Sequence, residues 1–144
     1  MEGKVIAVCL SEKKGTSKKN VGKGEIKENF GIIGDAHAGD KERQVSLLAK
    51  ESIDKVVKRG IDIKPGDFAE NITTEGIDLL KLNIRDKVFI GDKIILEVTK
   101  IGKECVSPCA IYHTLGECIM PREGIFTKVI SGGIVKIEDR VVIK

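Results

Sequence analysis

Three of the four cysteines, Cys105, Cys109 and Cys118, fall within fourteen residues, and one of the two histidines, His113, lies among them. Soft sulfur and imidazole donors at such density suit metal binding or thiol chemistry. The local grammar gives Cys109 a particular setting. Ser107 is a good helix N-cap, Pro108 suits the first helical position and Gly116 suits the end. Cys109 then sits in the first turn, where unpaired backbone N–H groups and the helix dipole favour a thiolate. His113, four residues on, shares its helix face and is placed to hold a proton for it.

Three readings of the segment stay open on residues alone. The cysteines can be small buried side chains, since free Cys packs as a small hydrophobe. Cys105, Cys109, His113 and Cys118 can be four zinc ligands of a non-catalytic binding module. Their spacing lacks the two-residue knuckle of structural zinc sites, and Pro108 interrupts a continuous helix from Cys105 to Cys109. Third, Cys109 alone can be a reactive or metal-coordinating thiolate, as a persulfide carrier or a molybdenum ligand would require. Cys9 lies inside the apolar run Lys4–Leu10 and reads as a buried strand residue.

The elements that must position these residues are mostly short strands. Runs at Lys4–Leu10, Glu25–Ile33, Phe68–Thr73, Val88–Ile90, Ile94–Thr99, Ile125–Ile130, Ile134–Ile137 and Val141–Ile143 are apolar and punctuated by turn residues. Gly91-Asp92 predicts a hairpin between Val88–Ile90 and Ile94–Thr99, and Gly132-Gly133 predicts another between Ile125–Ile130 and Ile134–Ile137. One helix follows from the rows Leu48, Ser52, Val56 and Ala49, Ile53, Val57, closed by Lys58, Arg59 and Gly60. Many close strands with one longer and one or two short helices predict a mainly β, compact barrel. No repeat or linker divides residues 1–144, so a single domain is expected.

Composition agrees and narrows the partners. The chain has 144 residues, 3% aromatics, no Trp and a net charge of +3. Ile, Val and Leu must fill the core, and the β-branched ones favour strands. So modest a charge, with so few stacking rings, points away from nucleic acid. Ser11–Gly24 holds five lysines against one glutamate, a flexible basic loop that is either a solvated surface or a cationic lip for an anionic ligand. No apolar run approaches the roughly 20 residues of a membrane span. The opening Met1–Leu10 lacks the build of a signal peptide, so a cytoplasmic protein with reduced thiols is expected.

The chain resembles the MOSC family, named for the C-terminal domain of molybdenum cofactor sulfurase, in its short stand-alone bacterial form. The resemblance runs through the segment Gly31–Asp40, Arg43–Leu48, Gly66–Thr74, Ile90-Gly91-Asp92, Cys105 to Cys109, Cys118–Phe126 and Gly132-Gly133. It implies a β-rich barrel that handles sulfur or the molybdenum cofactor, with Cys109 as sulfur carrier or metal ligand. It also implies a partner: a cysteine desulfurase, which would bring pyridoxal phosphate, or another cofactor-biosynthesis protein. A chain of this length has no room for a desulfurase domain of its own.

Within the resemblance, Gly34 and Gly39 let the loop between them bend and bring its amides near a ligand. Asp35, His37 and Asp40 are candidates for binding a metal or a pterin, or for stapling the loop by Asx turns. Arg43 and Arg122 are candidate phosphate donors, and Arg122 alternatively pairs with a neighbouring acid. Asn71, with Glu70, either lines the pocket or ties down backbone. At two turns where the family usually has Gly-Asp, this chain has Arg85-Asp86 and Glu138-Asp139, which predicts altered turn geometry there.

Overall fold

The computed structural model describes residues 1–13, 16–58, 60, 63–101 and 124–143. Its strands are β1 (Glu2–Leu10), β2 (Lys19–Asn20), β3 (Lys23–Lys27), β4 (Gly31–Ile32), β5 (Val45–Ala49), β6 (Ile72–Glu75), β7 (Lys87–Ile90), β8 (Ile94–Ile101), β9 (Ile125–Ser131), β10 (Gly133–Lys136) and β11 (Arg140–Ile143). Helix α1 spans Lys50–Val57, and a 3-10 turn spans Leu79–Lys81.

Seven strands close a barrel in the order β11, β7, β8, β9, β5, β6, β1, with β1 returning to β11 through Glu2–Val142 and Lys4–Arg140. The mainly β barrel read from the sequence is therefore the fold. Closure removes the unpaired edges that an open sheet of this size would expose. Every neighbouring pair is antiparallel except β5 and β6. That parallel step needs a crossover, and α1 lies on it. Alternation is plain in β8, where Ile94, Leu96 and Val98 point to the core while Ile95, Glu97 and Thr99 stay half-exposed. β5 is buried along its whole length, as expected of a strand covered on both faces.

A second, three-stranded sheet of β10, β3 and β4 lies beside the barrel and turns Ile26, Ile32 and Val135 into the shared core. Here the structure corrects the sequence reading. β9 and β10 form no hairpin across Gly132-Gly133: β10 pairs with β3 instead. A Cβ on Gly132 would stand 2.3 Å from the Ile26 carbonyl oxygen, so glycine serves there for close approach as the chain crosses from one sheet to the other.

Other boundaries shift for similar reasons. Leu48 and Ala49 pair with Thr73 and Thr74 in the barrel, so the helix starts only at Lys50. Phe68 lies in a turn rather than a strand, and β6 begins at Ile72. Glu25–Ile33 divides into β3 and β4 around a turn at Asn29, whose φ is +50°. Arg85 and Glu138 have φ of +79° and +81°. The turns thus keep the left-handed conformation that glycine favours, in place of the altered geometry expected from the missing Gly.

Candidate functional site

The loop that follows β4 is built around one carboxylate. Gly34 and Gly39 take positive φ, +91° and +87°, and Asp35 is buried between them. Its Oδ2 accepts the His37 backbone N–H at 3.1 Å, an Asx-type staple. Its Oδ1 accepts the Ser11 N–H at 3.1 Å and the Lys18 ammonium at 2.8 Å. Lys18 Nζ donates further to Ser11 Oγ at 3.1 Å and lies 3.2 Å from His37 Nδ1. The Lys18 and Asp35 side chains have no solvent exposure, and that of His37 has 10%.

Burial alone would raise the Asp35 pKa. The hydrogen bond and charge of Lys18, with the Ser11 N–H and the Asn71 side chain, outweigh it and hold the carboxyl below its usual range. So close a pair in the interior is compensated charge, and removing either partner would leave the other stranded. The sequence placed Lys18 in a basic loop, either solvated or a cationic lip; the structure turns its side chain inward. No local pattern marks it among its neighbouring lysines, because its partner lies seventeen residues away.

Asn71 extends this cluster into the barrel wall. Its Oδ1 accepts the Ser46 N–H at 2.9 Å and the Ser46 hydroxyl at 3.2 Å, while its Nδ2 donates to the Cys9 carbonyl at 3.1 Å. It thereby ties β5, the approach to β6, and β1 together, and its side chain is among the groups that lower the Asp35 pKa. Ser46 and Ser11 were not singled out from the sequence, since a serine opposite a buried amide leaves no one-dimensional trace.

Arg43 stands apart from that group and joins it through the loop. Asp40 Oδ1 accepts the backbone N–H groups of Glu42 and Arg43, each at 2.9 Å. The half-buried Arg43 guanidinium lies 5.5 Å from the centre of the Phe126 ring, in cation–π range. Phe126 pairs with Ser46 across β9 and β5. The barrel register therefore links Arg43, through Phe126 and Ser46, to Asn71.

Cys9 and Glu70 form a separate buried pair of acids. Glu70 Oε2 accepts the Gly66 N–H at 3.0 Å and the Thr73 hydroxyl at 2.9 Å, whereas its buried Oε1 has no hydrogen-bond partner among the described residues. Burial raises the Glu70 pKa. Burial, with the nearby Glu70 charge second, pushes the Cys9 thiol up to about 12. Such a thiol is not a nucleophile near neutrality.

Cys105, Cys109, His113, Cys118 and Arg122 lie outside the described residues, as does the short helix read around them. The strands on either side are placed: Ile101 pairs with Ile125, and Ile125 with Leu47. Among the described residues no group of three His, Cys, Asp or Glu is arranged to hold a metal ion. Asp35, His37 and Asp40 come together as a loop fastening, with both Asp35 oxygens engaged. Among the described residues, no helix is long and apolar enough to cross a membrane.

A model of the MOSC domain family matches residues 34–142. Comparison with curated proteins gives no match. Among solved structures the chain is similar to the YUAD protein from Bacillus subtilis, with TM-score 0.80 and 20% identity over 98% of this chain and 94% of that one. It is also similar to YiiM from Geobacillus stearothermophilus, with TM-score 0.70 and 16% identity over 96% of this chain and 73% of that one. YiiM from Escherichia coli gives TM-score 0.66 at 17% identity, covering all of this chain and 70% of the other. At these identities the structural likeness concerns the fold.

Proposed function

Because the chain belongs to the MOSC domain family, whose members are associated with molybdenum cofactor sulfuration, we propose that it is a molybdenum-cofactor-associated sulfur carrier with Cys109 as the carrying thiolate. The observation that supports this reading best is the closed Lys18–Asp35–His37 cluster. Its acid is cancelled by a buried ammonium, so the slightly exposed His37 side chain stands beside no uncompensated negative charge that would repel an anion. A thiolate, a persulfide and a phosphate-bearing pterin are all anions.

The described side chains fit such a cofactor as donors rather than as metal ligands. Arg43 would hold its phosphate as a bidentate donor, with Arg122 as a second candidate. His37 would donate to it, while Asp35 and Asn71 keep the loop and strands in place. When bound, the cofactor supplies the molybdenum centre that accepts sulfur.

The protein's own chemistry is sulfur exchange. The Cys109 thiolate attacks the outer sulfur of a partner's persulfide; the partner's S–S bond breaks as the new one forms, and the partner's thiolate leaves. The exchange is redox-neutral. His113 holds the proton that leaves Cys109 when the thiolate forms. A pyridoxal-phosphate-dependent cysteine desulfurase is the class of partner that provides the persulfide.

This reading requires an activated thiol. Alkylation of the full chain by iodoacetamide at neutral pH, followed peptide by peptide, is expected to modify Cys109 faster than a free-cysteine peptide under the same conditions. Buried Cys9 serves as an internal reference that reacts only on unfolding. A Cys109 rate no higher than that of the free peptide would contradict the reading.

A further inference from the structure

His37 can serve a ligand as a base, as a metal ligand or as a hydrogen-bond donor, and its contact with Lys18 bears on which. Its Nδ1 lies 3.2 Å from Lys18 Nζ. An ammonium carries only protons and no lone pair, so Nδ1 must bring the lone pair to this contact. A neutral imidazole that accepts at Nδ1 carries its proton on Nε2. Lys18 is kept as an ammonium by Asp35 at 2.8 Å, in a pair with no solvent exposure. The opposite arrangement, with Nδ1–H donating to Asp35, would have to span 3.8 Å to Oδ2, which is beyond hydrogen-bond length. That oxygen already accepts the His37 backbone N–H.

We infer that Lys18 is a positioning residue that fixes His37 as its Nε2–H tautomer, so that His37 meets a ligand as a hydrogen-bond donor and not as a base or metal ligand. The ligand atom facing it must then be an electron-pair donor such as a phosphate or carbonyl oxygen or an anionic sulfur. The inference takes from the proposed function only that His37 faces the ligand; the tautomer follows from the lysine contact.

Long-range ¹H–¹⁵N correlation spectra of the uniformly labelled full chain at neutral pH test this directly. Only two imidazoles contribute, and His37→Gln identifies the relevant pair of nitrogens by their loss. The expected spectrum has Nδ1 unprotonated and Nε2 protonated, and titration with Zn²⁺ alone leaves both unmoved. Lys18→Met is expected to change the pattern, with Nδ1 taking up a proton on the side of Asp35. A protonated Nδ1 in the parent, displacement of the His37 Nε2 proton by Zn²⁺, or a folded Lys18→Met chain with the parent's pattern would each overturn the inference. If Lys18→Met does not fold, Lys18→Gln takes its place, and a protonated Nδ1 in the parent overturns the inference by itself. The measurement involves no sulfur donor or cofactor, so failure here and failure of sulfur carriage are read separately.

Discussion

Two buried carboxyls in this protein have opposite relations to pH. Asp35 has a lowered pKa in the fold, so its contribution to stability is present above the unfolded value and is lost as pH falls through the folded one. Glu70 has a raised pKa. Its folded, protonated form is favoured at low pH, and the fold is penalised as pH rises from the unfolded value through the folded one. An Oε1 with no hydrogen-bond partner among the described residues is the structural mark of that penalty. Glu70→Gln keeps the shape and removes the ionisation. Urea unfolding across a pH series is expected to show the variant losing less stability than the parent between acid and neutral pH, by about 1–3 kcal/mol. Parallel pH profiles for the two chains would show that Glu70 does not ionise at the cost described.

At this scale the sequence was only partly legible. Asp35, His37 and Asn71 stood out because they fall in a dense polar motif. Lys18 did not, although it neutralises Asp35. A lysine's burial is decided by a partner distant along the chain, and its own neighbours suggested solvent. The roles of Cys109, His113 and Arg122 rest on local capping logic and on the family, and Cys9 alone of the four cysteines lies among the described residues.

Turns tell the same story at the level of elements. Arg85 and Glu138 are held at positive φ, yet their amides donate to the Val98 and Val5 carbonyls at 2.7 and 2.8 Å. Those bonds hold the two residues in a conformation disfavoured for any side chain. Replacing each by glycine removes that strain at some cost in unfolded-chain entropy. Arg85→Gly and Glu138→Gly are each expected to stabilise the fold by about 0.5–1 kcal/mol, the second somewhat less because it also loses the exposed Lys4–Glu138 contact. Urea midpoints measure this, and a fall in midpoint for both variants would contradict the strain account. Strand existence was readable from alternation and turn residues. The β7–β8 hairpin across Gly91-Asp92 was readable too, but the partner of β10 was not: nothing near Gly132 shows that β10 belongs with β3, since that pairing is set by the closure of the barrel next to it.

For the whole molecule, barrel closure does the positioning. The chain ends of β1 and β11 meet, and the β5–β6 crossover brings Ser46 beside Asn71. The β5–β9 pair brings Phe126 near Arg43, and the β8–β9 pair sets Ile101 opposite Ile125. A closed β-rich architecture was legible from composition and strand spacing. The second sheet was not, because its strands carry the same local pattern as those of the barrel. What this scaffold is proposed to serve is a single thiolate, and sulfur loading tests that most directly. The full chain, incubated with a pyridoxal-phosphate-dependent cysteine desulfurase and cysteine, is analysed by peptide mass spectrometry without reductant. The account predicts one added sulfur on Cys109 and none on the Cys109→Ala chain. A parent that gains no sulfur, or a Cys109→Ala chain that gains as much as the parent, would contradict it.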